Sequence, residues 1–451
     1  MSLTYFGTDG IRGPWGGDSL NEKVAFRAGR AAVSVARDFV GDEVPEIVVG
    51  RDTRASGEAL LAAFAKGVSA EGGITIDLGI APTPCVAYAA KRSQASLACS
   101  LTASHNPASD NGIKFFEGTG VKPSEALEQA LDDAIGAAGD QGLGDDVASS
   151  VQDGSDLKQL YIEGLAAHFP QAMLAGKRVA LDCAHGAMSE IAPKLFETLG
   201  ASVDVVANRP DGSNINKGVG SEHPGSLKSL YEKNEYDLGF AFDGDGDRVI
   251  LSDENGDRVS GEALLAALAI DAKEKGALHD NVLVTTVQSN LGLDAALSER
   301  GITALRTDVG DKHIARLMLS KGYSLGGEES GHVVIGRFAV TGDGLCAALA
   351  LSALIAQSAQ PISSWAGLYQ AFPQLTRAIR IASKPPLDRC AHLSDCIRKW
   401  ERELAGDGRL LVRYSGTEAK IRLLVEARSE EAVGAAMADL ERAVERDLQR
   451  V

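Results

Sequence analysis

Short runs of apolar residues alternate with amphipathic stretches along most of the chain, and the alternation repeats. Residues 46–50 read as a buried strand, 57–71 as a helix, 74–76 as a strand, 84–92 as a helix and 95–101 as a strand. A second copy runs through 178–181, 189–199, 202–206, 226–233 and 237–242, and a third through 281–284, 291–300, 302–306, 312–321 and 323–325. Buried strands alternating with helices predict βαβ units with largely parallel sheets. A helix at 22–39 precedes the first copy. The apolar run 345–356 reads as a buried core helix, too short to span a bilayer. From about residue 372 the pattern changes. Strands at 375–381, 408–412 and 421–426 and helices at 388–404 and 430–449 predict a smaller α+β domain. The expected architecture is three similar α/β domains, at 1–155, 156–260 and 261–371, followed by an α+β domain at 372–451. The stretch 139–155, rich in Gly, Asp and Ser, reads as the linker after the first.

In parallel α/β sheets ligands bind beyond the carboxyl ends of the strands, and each copy ends there in a polar motif. The first ends in Thr102-Ala103-Ser104-His105-Asn106-Pro107, where Pro107 stops a helix from starting. Asp110-Asn111-Gly112 is expected to form a turn that returns Lys114 to the sheet. One loop thus holds a hydroxyl nucleophile, an imidazole and an ammonium. The second copy ends in Asp243-Gly244-Asp245-Gly246-Asp247-Arg248, whose glycines let three carboxylates converge as hard oxygen ligands for Mg2+ or a similar ion. An EF-hand would need glycine where Arg248 stands. An aspartyl-phosphatase signature fits 245–250 but leaves the other loops without a role. The third copy ends in Gly326-Gly327-Glu328-Glu329-Ser330-Gly331-His332, with acceptors and hydroxyls suited to a polyol. Gly310-Asp311-Lys312 opens a helix N-terminus, a natural anion position. In the last domain Arg413, Ser415, Gly416, Thr417 and Arg422 can cradle a phosphate. Near the start, Gly7, Gly10 and Gly13 form a loop to which Arg12 adds charge.

The net charge of −17 argues against a nucleic-acid or membrane partner, so an anionic substrate would need cations concentrated locally. Cys85, Cys99, Cys183, Cys346, Cys390 and Cys396 lack zinc or redox spacing and are expected to be free thiols of a cytoplasmic protein. Residues 1–6 show no signal-peptide pattern.

Taken in order, residues 7–13, 102–107, 110–116, 243–248, 328–332, 341–345 and 413–418 resemble the motifs of the α-D-phosphohexomutases over essentially the whole chain. Within that family the chain is most similar to members acting on glucosamine phosphate. The resemblance implies a heart-shaped, four-domain enzyme around a central cleft. In it Ser104 would be the phosphoserine, and Asp243, Asp245 and Asp247 would hold one Mg2+ per chain together with the group on Ser104. Glu328 and Ser330 would bind the sugar, with Arg248, Gly310, Asp311, Lys312 and His332 around it. The loop from Arg413 to Arg422 would take the phosphate not being transferred. Arg12 and Lys114 would lie near the transferred group, and either Lys114 or His105 would move protons.

The implied reaction interconverts glucosamine 6-phosphate and glucosamine 1-phosphate through a bound hexosamine 1,6-bisphosphate, which also activates the enzyme. Its product would supply UDP-N-acetylglucosamine synthesis. The partner is a small phosphosugar, and a homodimer stays open. Glu329 stands where these members usually have glutamine, Ala108 where an aromatic is common, His185 where asparagine is usual and Ala419 where proline is frequent. Glucose and mannose phosphates therefore remain alternatives, as does a sugar-phosphate hydrolase. A non-catalytic sensor would have no need of both Ser104 and the aspartates.

Overall fold

The computed structural model describes residues 3–7, 9–41, 43–144, 149–339, 341–358, 360–415 and 419–448. The chain divides into two compact units, Met1–Gln288 with Gly301–Leu368, and Ser289–Arg300 with Tyr369–Val451.

The first unit holds three sheets with one shared topology. In the first sheet, Asp110–Glu117 lies antiparallel to Leu97–Leu101, followed by parallel Glu46–Arg51 and Ile74–Ile80. In the second, Val249–Ser252 lies antiparallel to Leu238–Phe242, followed by parallel Arg178–Asp182 and Ser202–Val206. In the third, Val333–Ile335 lies antiparallel to Leu325–Gly327, followed by parallel Val282–Thr286 and Thr303–Thr307. The strands at the sheet centres are Val-, Ile-, Leu- and Phe-rich because helices cover both faces. Leu97–Leu101, Leu238–Phe242 and Val282–Thr286 are buried at every position. Each polar motif is therefore the loop between a parallel strand and the antiparallel strand that returns beside it.

Two sequence expectations change in the first domain. Asp110, Asn111 and Gly112 are not a turn but the start of the returning strand, paired with Pro14, Gly13 and Arg12 of Ile11–Pro14. Their polarity reflects an end of the sheet at the loop, not a reversal. The stretch read as a linker contains Val151–Asp153, which extends the first sheet in parallel beside Ile74–Ile80. A helix, Ser155–His168, follows at once. In the second domain the helix expected at 226–233 is a 3-10 turn, Pro224–Leu227, and one α-turn, Lys228–Tyr231.

The helix Gly344–Gln357 is buried along most of its length, as its apolar sequence requires, and the Asp343 carboxylate caps it through the Cys346 N–H at 2.9 Å. Among the described residues no helix is long and apolar enough to cross a membrane. All six cysteines are free thiols.

The second unit is an antiparallel sheet, Gln374–Arg380, Lys420–Ala427 and Gly408–Tyr414 in spatial order, with Ala391–Glu403 and Glu430–Leu448 on one face. Leu393, Trp400, Leu440 and Val444 pack there on Ile421, Leu423 and Val425. The helix Leu291–Ser298, from the third repeat in sequence, belongs to this unit. Asn290 brackets the Phe372 peptide at 2.8 and 3.0 Å, and Glu426 accepts the Leu291 N–H at 2.6 Å.

Candidate active site

The loop after Leu97–Leu101 brings Ser104 to the loop after Leu238–Phe242. The Ser104 hydroxyl donates to Asp243 Oδ2 at 2.7 Å and lies 3.3 Å from His105 Nδ1. Ser104 is buried and has φ 51°, a left-handed conformation that an L-residue keeps only when its neighbours impose it. They do so here. The Ser104 N–H donates to Thr102 Oγ1 at 2.8 Å, and Thr102 donates to Asp52 Oδ2 at 2.7 Å. Arg54, buried and paired with Asp52 at 2.8 Å, donates to the carbonyls of Ser104, Asn106, Pro107 and Asp110.

Asp243, Asp245 and Asp247 are buried and their carboxylate oxygens converge within 4.8 Å. The loop closes tightly because Gly244 and Gly246 leave room. A Cβ on Gly246, where φ is 72°, would meet Met188 Cε at 2.4 Å. Burial, with Asp247 and Asp245 beside it, pushes Asp243 well above the usual carboxylate range. Asp245 Oδ1 and Asp247 Oδ1 are buried with no hydrogen-bond partner. Orphaned carboxylate oxygens on a convergent, all-oxygen donor set fit a hard divalent cation.

Cations surround the cluster. Lys114 Nζ lies 2.7 Å from Asp245, 3.2 Å from Asp247 and 3.3 Å from Asp9. Burial disfavours its charge, but these carboxylates outweigh burial and hold its pKa well above the ordinary value. Lys122 bridges Asp9 and Asp311, each at 2.5 Å, and so joins the first and third domains. Against the cost of burial, Lys114, Lys122 and Arg12 hold Asp9 well below the usual range. Arg12 pairs with Asp9 at 2.6 Å. The Arg248 N–H donates to Asp243 at 3.2 Å, while its guanidinium reaches Glu222 at 3.3 Å. Burial, then Arg248, lowers the His105 pKa.

The third loop meets the second. Arg248 and His332 form a β-bridge, and buried His332 lies between Asp247 at 3.9 Å and Asp311 at 3.4 Å. The helix N-terminus at Gly310 already faces an anion, since its N–H donates to Glu328 Oε1 at 3.3 Å. Lys312 is taken up by Glu128 at 3.1 Å. Ser330 Oγ is buried with no hydrogen-bond partner. Glu329 is exposed and pairs with Arg258 at 3.0 Å. Ser104, His105, Lys114, Arg12, the aspartates, Arg248, Asp311 and His332 thus form one network, with Gly310, Glu328, Ser330 and Lys312 beside it.

In the second unit Arg413 and Arg422 stand directly opposite each other across adjacent strands, and Lys384 Nζ holds the Ser415 carbonyl at 2.5 Å. Gly416 and Thr417 lie outside the described residues.

Sequence reasoning left Asp9, Asp52, Arg54, Lys122, Asn216 and Thr83 without a role. Thr83 donates to Asp245 Oδ2 at 2.6 Å. Asp52 and Arg54, just past a buried strand, had a readable signal in that position. Asn216 and Lys122 had none.

The chain matches, in order, phosphoglucomutase/phosphomannomutase alpha/beta/alpha domain I over residues 3–141, domain II over 159–256, domain III over 260–372 and the C-terminal domain over 366–443. The chain belongs to the phosphoglucomutase/phosphomannomutase family. Among relatives in that family, the phosphoglucosamine mutase of Symbiobacterium thermophilum is 41% identical over 93% of this chain and 94% of its own. That of Paenarthrobacter aurescens is 43% identical over 94% and 93%. A phosphoglucomutase/phosphomannomutase family protein from Burkholderia thailandensis has a similar structure, with a TM-score of 0.82 at 26% identity over 98% and 97% of the two chains. The fold also resembles Aspergillus fumigatus N-acetylphosphoglucosamine mutase in complex with GlcNAc-6P and magnesium, with a TM-score of 0.67 at 16% identity over 99% and 96%. The family assignment makes the enzyme an isomerase of the phosphohexomutase type.

Proposed function

We propose that this phosphohexomutase interconverts glucosamine 6-phosphate and glucosamine 1-phosphate, with Ser104 as the phosphoryl carrier. The observation that supports this reading most is the Ser104 hydroxyl at 2.7 Å from Asp243, where loops of three domains converge. The names of the relatives favour glucosamine as the sugar. Phosphoryl transfer requires mainly positioning and neutralisation of charge on the equatorial oxygens. Asp243, Asp245, Asp247 and the phosphate on Ser104 would hold one Mg2+ per chain, which would supply much of that neutralisation.

The chain's own residues do the rest. Phosphorylated Ser104 gives its group to the free sugar hydroxyl. The bond from phosphorus to Ser104 Oγ breaks, a bond from phosphorus to the sugar oxygen forms, and the proton leaving the sugar hydroxyl passes by way of His105 to the freed Ser104 Oγ. The bisphosphate then turns and returns its other phosphate to Ser104. His105, 3.3 Å from Ser104 Oγ, is the group placed to exchange a proton there. Lys114, tied to Asp245, Asp247 and Asp9, acts as a fixed charge. Arg12 and Arg248 add charge, and Glu328 and Ser330 orient the sugar. Arg413, Ser415, Gly416, Thr417 and Arg422 hold the phosphate not being transferred.

Peptide mass spectrometry of the purified protein tests the carrier. A phosphate on Ser104, and loss of turnover in Ser104→Ala, are expected. Undiminished turnover in Ser104→Ala refutes the assignment.

A further inference from the structure

The Ser104 peptide is held from two domains at once. Its carbonyl accepts from Arg54 Nη2 at 3.0 Å and from Asn216 Nδ2 at 2.8 Å. The same side chains meet again on the Asn106 carbonyl, Arg54 at 2.9 Å and Asn216 at 3.0 Å. Arg54 comes from the loop after Glu46–Arg51, in the same sheet as the serine loop. Asn216 comes from the second domain, which also supplies the aspartate loop.

Asn216 is itself firmly placed. Its backbone is left-handed, with φ 59°, and its N–H donates to the Ala184 carbonyl at 2.9 Å. The Ala184 N–H donates to buried Asp182 at 2.8 Å, and Asp182 also takes the Gly220 N–H at 2.7 Å and the Ser226 hydroxyl. A Cβ on Gly244 would lie 2.7 Å from the Ser104 carbonyl oxygen and 2.9 Å from Asn216 Nδ2. The amide therefore sits where the serine loop touches the aspartate loop.

We propose that Asn216 is a positioning residue for phosphoryl transfer. By bridging the carbonyls of Ser104 and Asn106 from the second domain, it sets the register of the Ser104 hydroxyl against Asp243. This inference rests on Ser104 being the phosphoryl carrier. In that cycle the serine oxygen loses and regains its phosphate and must return to the same place each time. Arg54 fixes the loop within its own domain, and Asn216 ties its backbone to the domain that carries the aspartates. A misplacement of about 1 Å at a reacting atom costs on the order of a hundredfold in rate.

Two variants test it. Asn216→Gly keeps the left-handed backbone and removes the amide. Asn216→Asp keeps the shape but sets a carboxylate against two carbonyl oxygens. The measurements are single-turnover transfer from glucosamine 1,6-bisphosphate to dephosphorylated Ser104, read on the Ser104 peptide, with KM and thermal midpoint alongside. Asn216→Gly is expected to slow transfer about ten- to a hundredfold, Asn216→Asp further, with KM nearly unchanged and both proteins folded. Wild-type transfer rates in either folded variant overturn the inference, and so does a rise in KM without a fall in transfer rate. Failure of both variants to fold also overturns it, since Asn216 would then be a folding residue. Absence of label on Ser104 in the wild-type protein removes the underlying reading instead, and is told apart by that control.

Discussion

Asp343 keeps its proton to a pH at which most aspartates have lost theirs. Burial pushes it up to about 6, although the Cys346 N–H and the Tyr161 hydroxyl favour its charge. Unfolded, it would titrate near 3.8. Between those values the folded state binds more protons than the unfolded one, so this group's contribution to stability falls as pH rises through the window and is constant above it. The amide introduced by Asp343→Asn would not titrate, yet its carbonyl oxygen can still accept from Cys346 and Tyr161. The stability of wild type minus that of Asp343→Asn should therefore fall by roughly 3 kcal/mol in all as pH rises from well below 3.8 to well above about 6. Urea unfolding at a series of pH values measures it, and parallel stability curves for the two proteins would contradict it. At this scale the sequence was readable where like residues cluster. Three carboxylates in Asp243, Asp245 and Asp247 announce a cation because they repel one another without it. Lys122 and Asn216 were silent because each is a single polar residue whose role is to reach a partner in another domain.

The repeated element is a parallel strand, a polar loop and an antiparallel return strand. Arg54 shows how such a loop is made rigid. A planar guanidinium with five donors can satisfy several carbonyls in a fixed fan, which a lysine cannot. Arg54→Met leaves Asp52 buried without its partner and is expected to cost about 3–5 kcal/mol. It should also lower turnover, because the carbonyls of Ser104 and Asn106 lose a donor. Adding Asp52→Asn should recover part of the stability and little of the activity. Urea unfolding and turnover assays on the single and double variants check this, and a single-variant loss below about 1 kcal/mol would count against it.

Most elements were legible from hydrophobic period alone, since βαβ units require buried strands. The exceptions have physical causes. Asp110–Gly112 has turn composition but sits at the end of a sheet beside Ile11–Pro14. Val151–Asp153 is an exposed edge strand with no apolar signal. Leu291–Ser298 reads correctly as a helix, but the sequence does not show that it packs with the C-terminal unit.

The whole molecule carries a net charge of −17 while its function calls for binding doubly charged anions. The first unit meets this locally, with Lys114, Lys122, Arg12 and Arg248 gathered around the acidic cluster. Because Asp245 Oδ1 and Asp247 Oδ1 have no hydrogen-bond partner, chelating divalent cations should abolish turnover. EDTA treatment followed by Mg2+ readdition measures this, and full activity in EDTA would contradict it. The family was legible because seven motifs occur in the expected order. The sugar was less so, since Glu329 departs from the usual glutamine and its carboxylate is balanced by Arg258 at 3.0 Å.

The measurement that bears most directly on the central claim follows phosphorus in solution. Protein primed with a trace of glucosamine 1,6-bisphosphate and Mg2+ is given glucosamine 6-phosphate, glucose 6-phosphate or mannose 6-phosphate, and each reaction is followed by phosphorus NMR. The expected result is a growing 1-phosphate resonance, fastest from glucosamine 6-phosphate, reached equally from the 1-phosphate side and with little inorganic phosphate. Inorganic phosphate as the main product, or conversion of glucose or mannose 6-phosphate in preference to glucosamine 6-phosphate, would contradict the account.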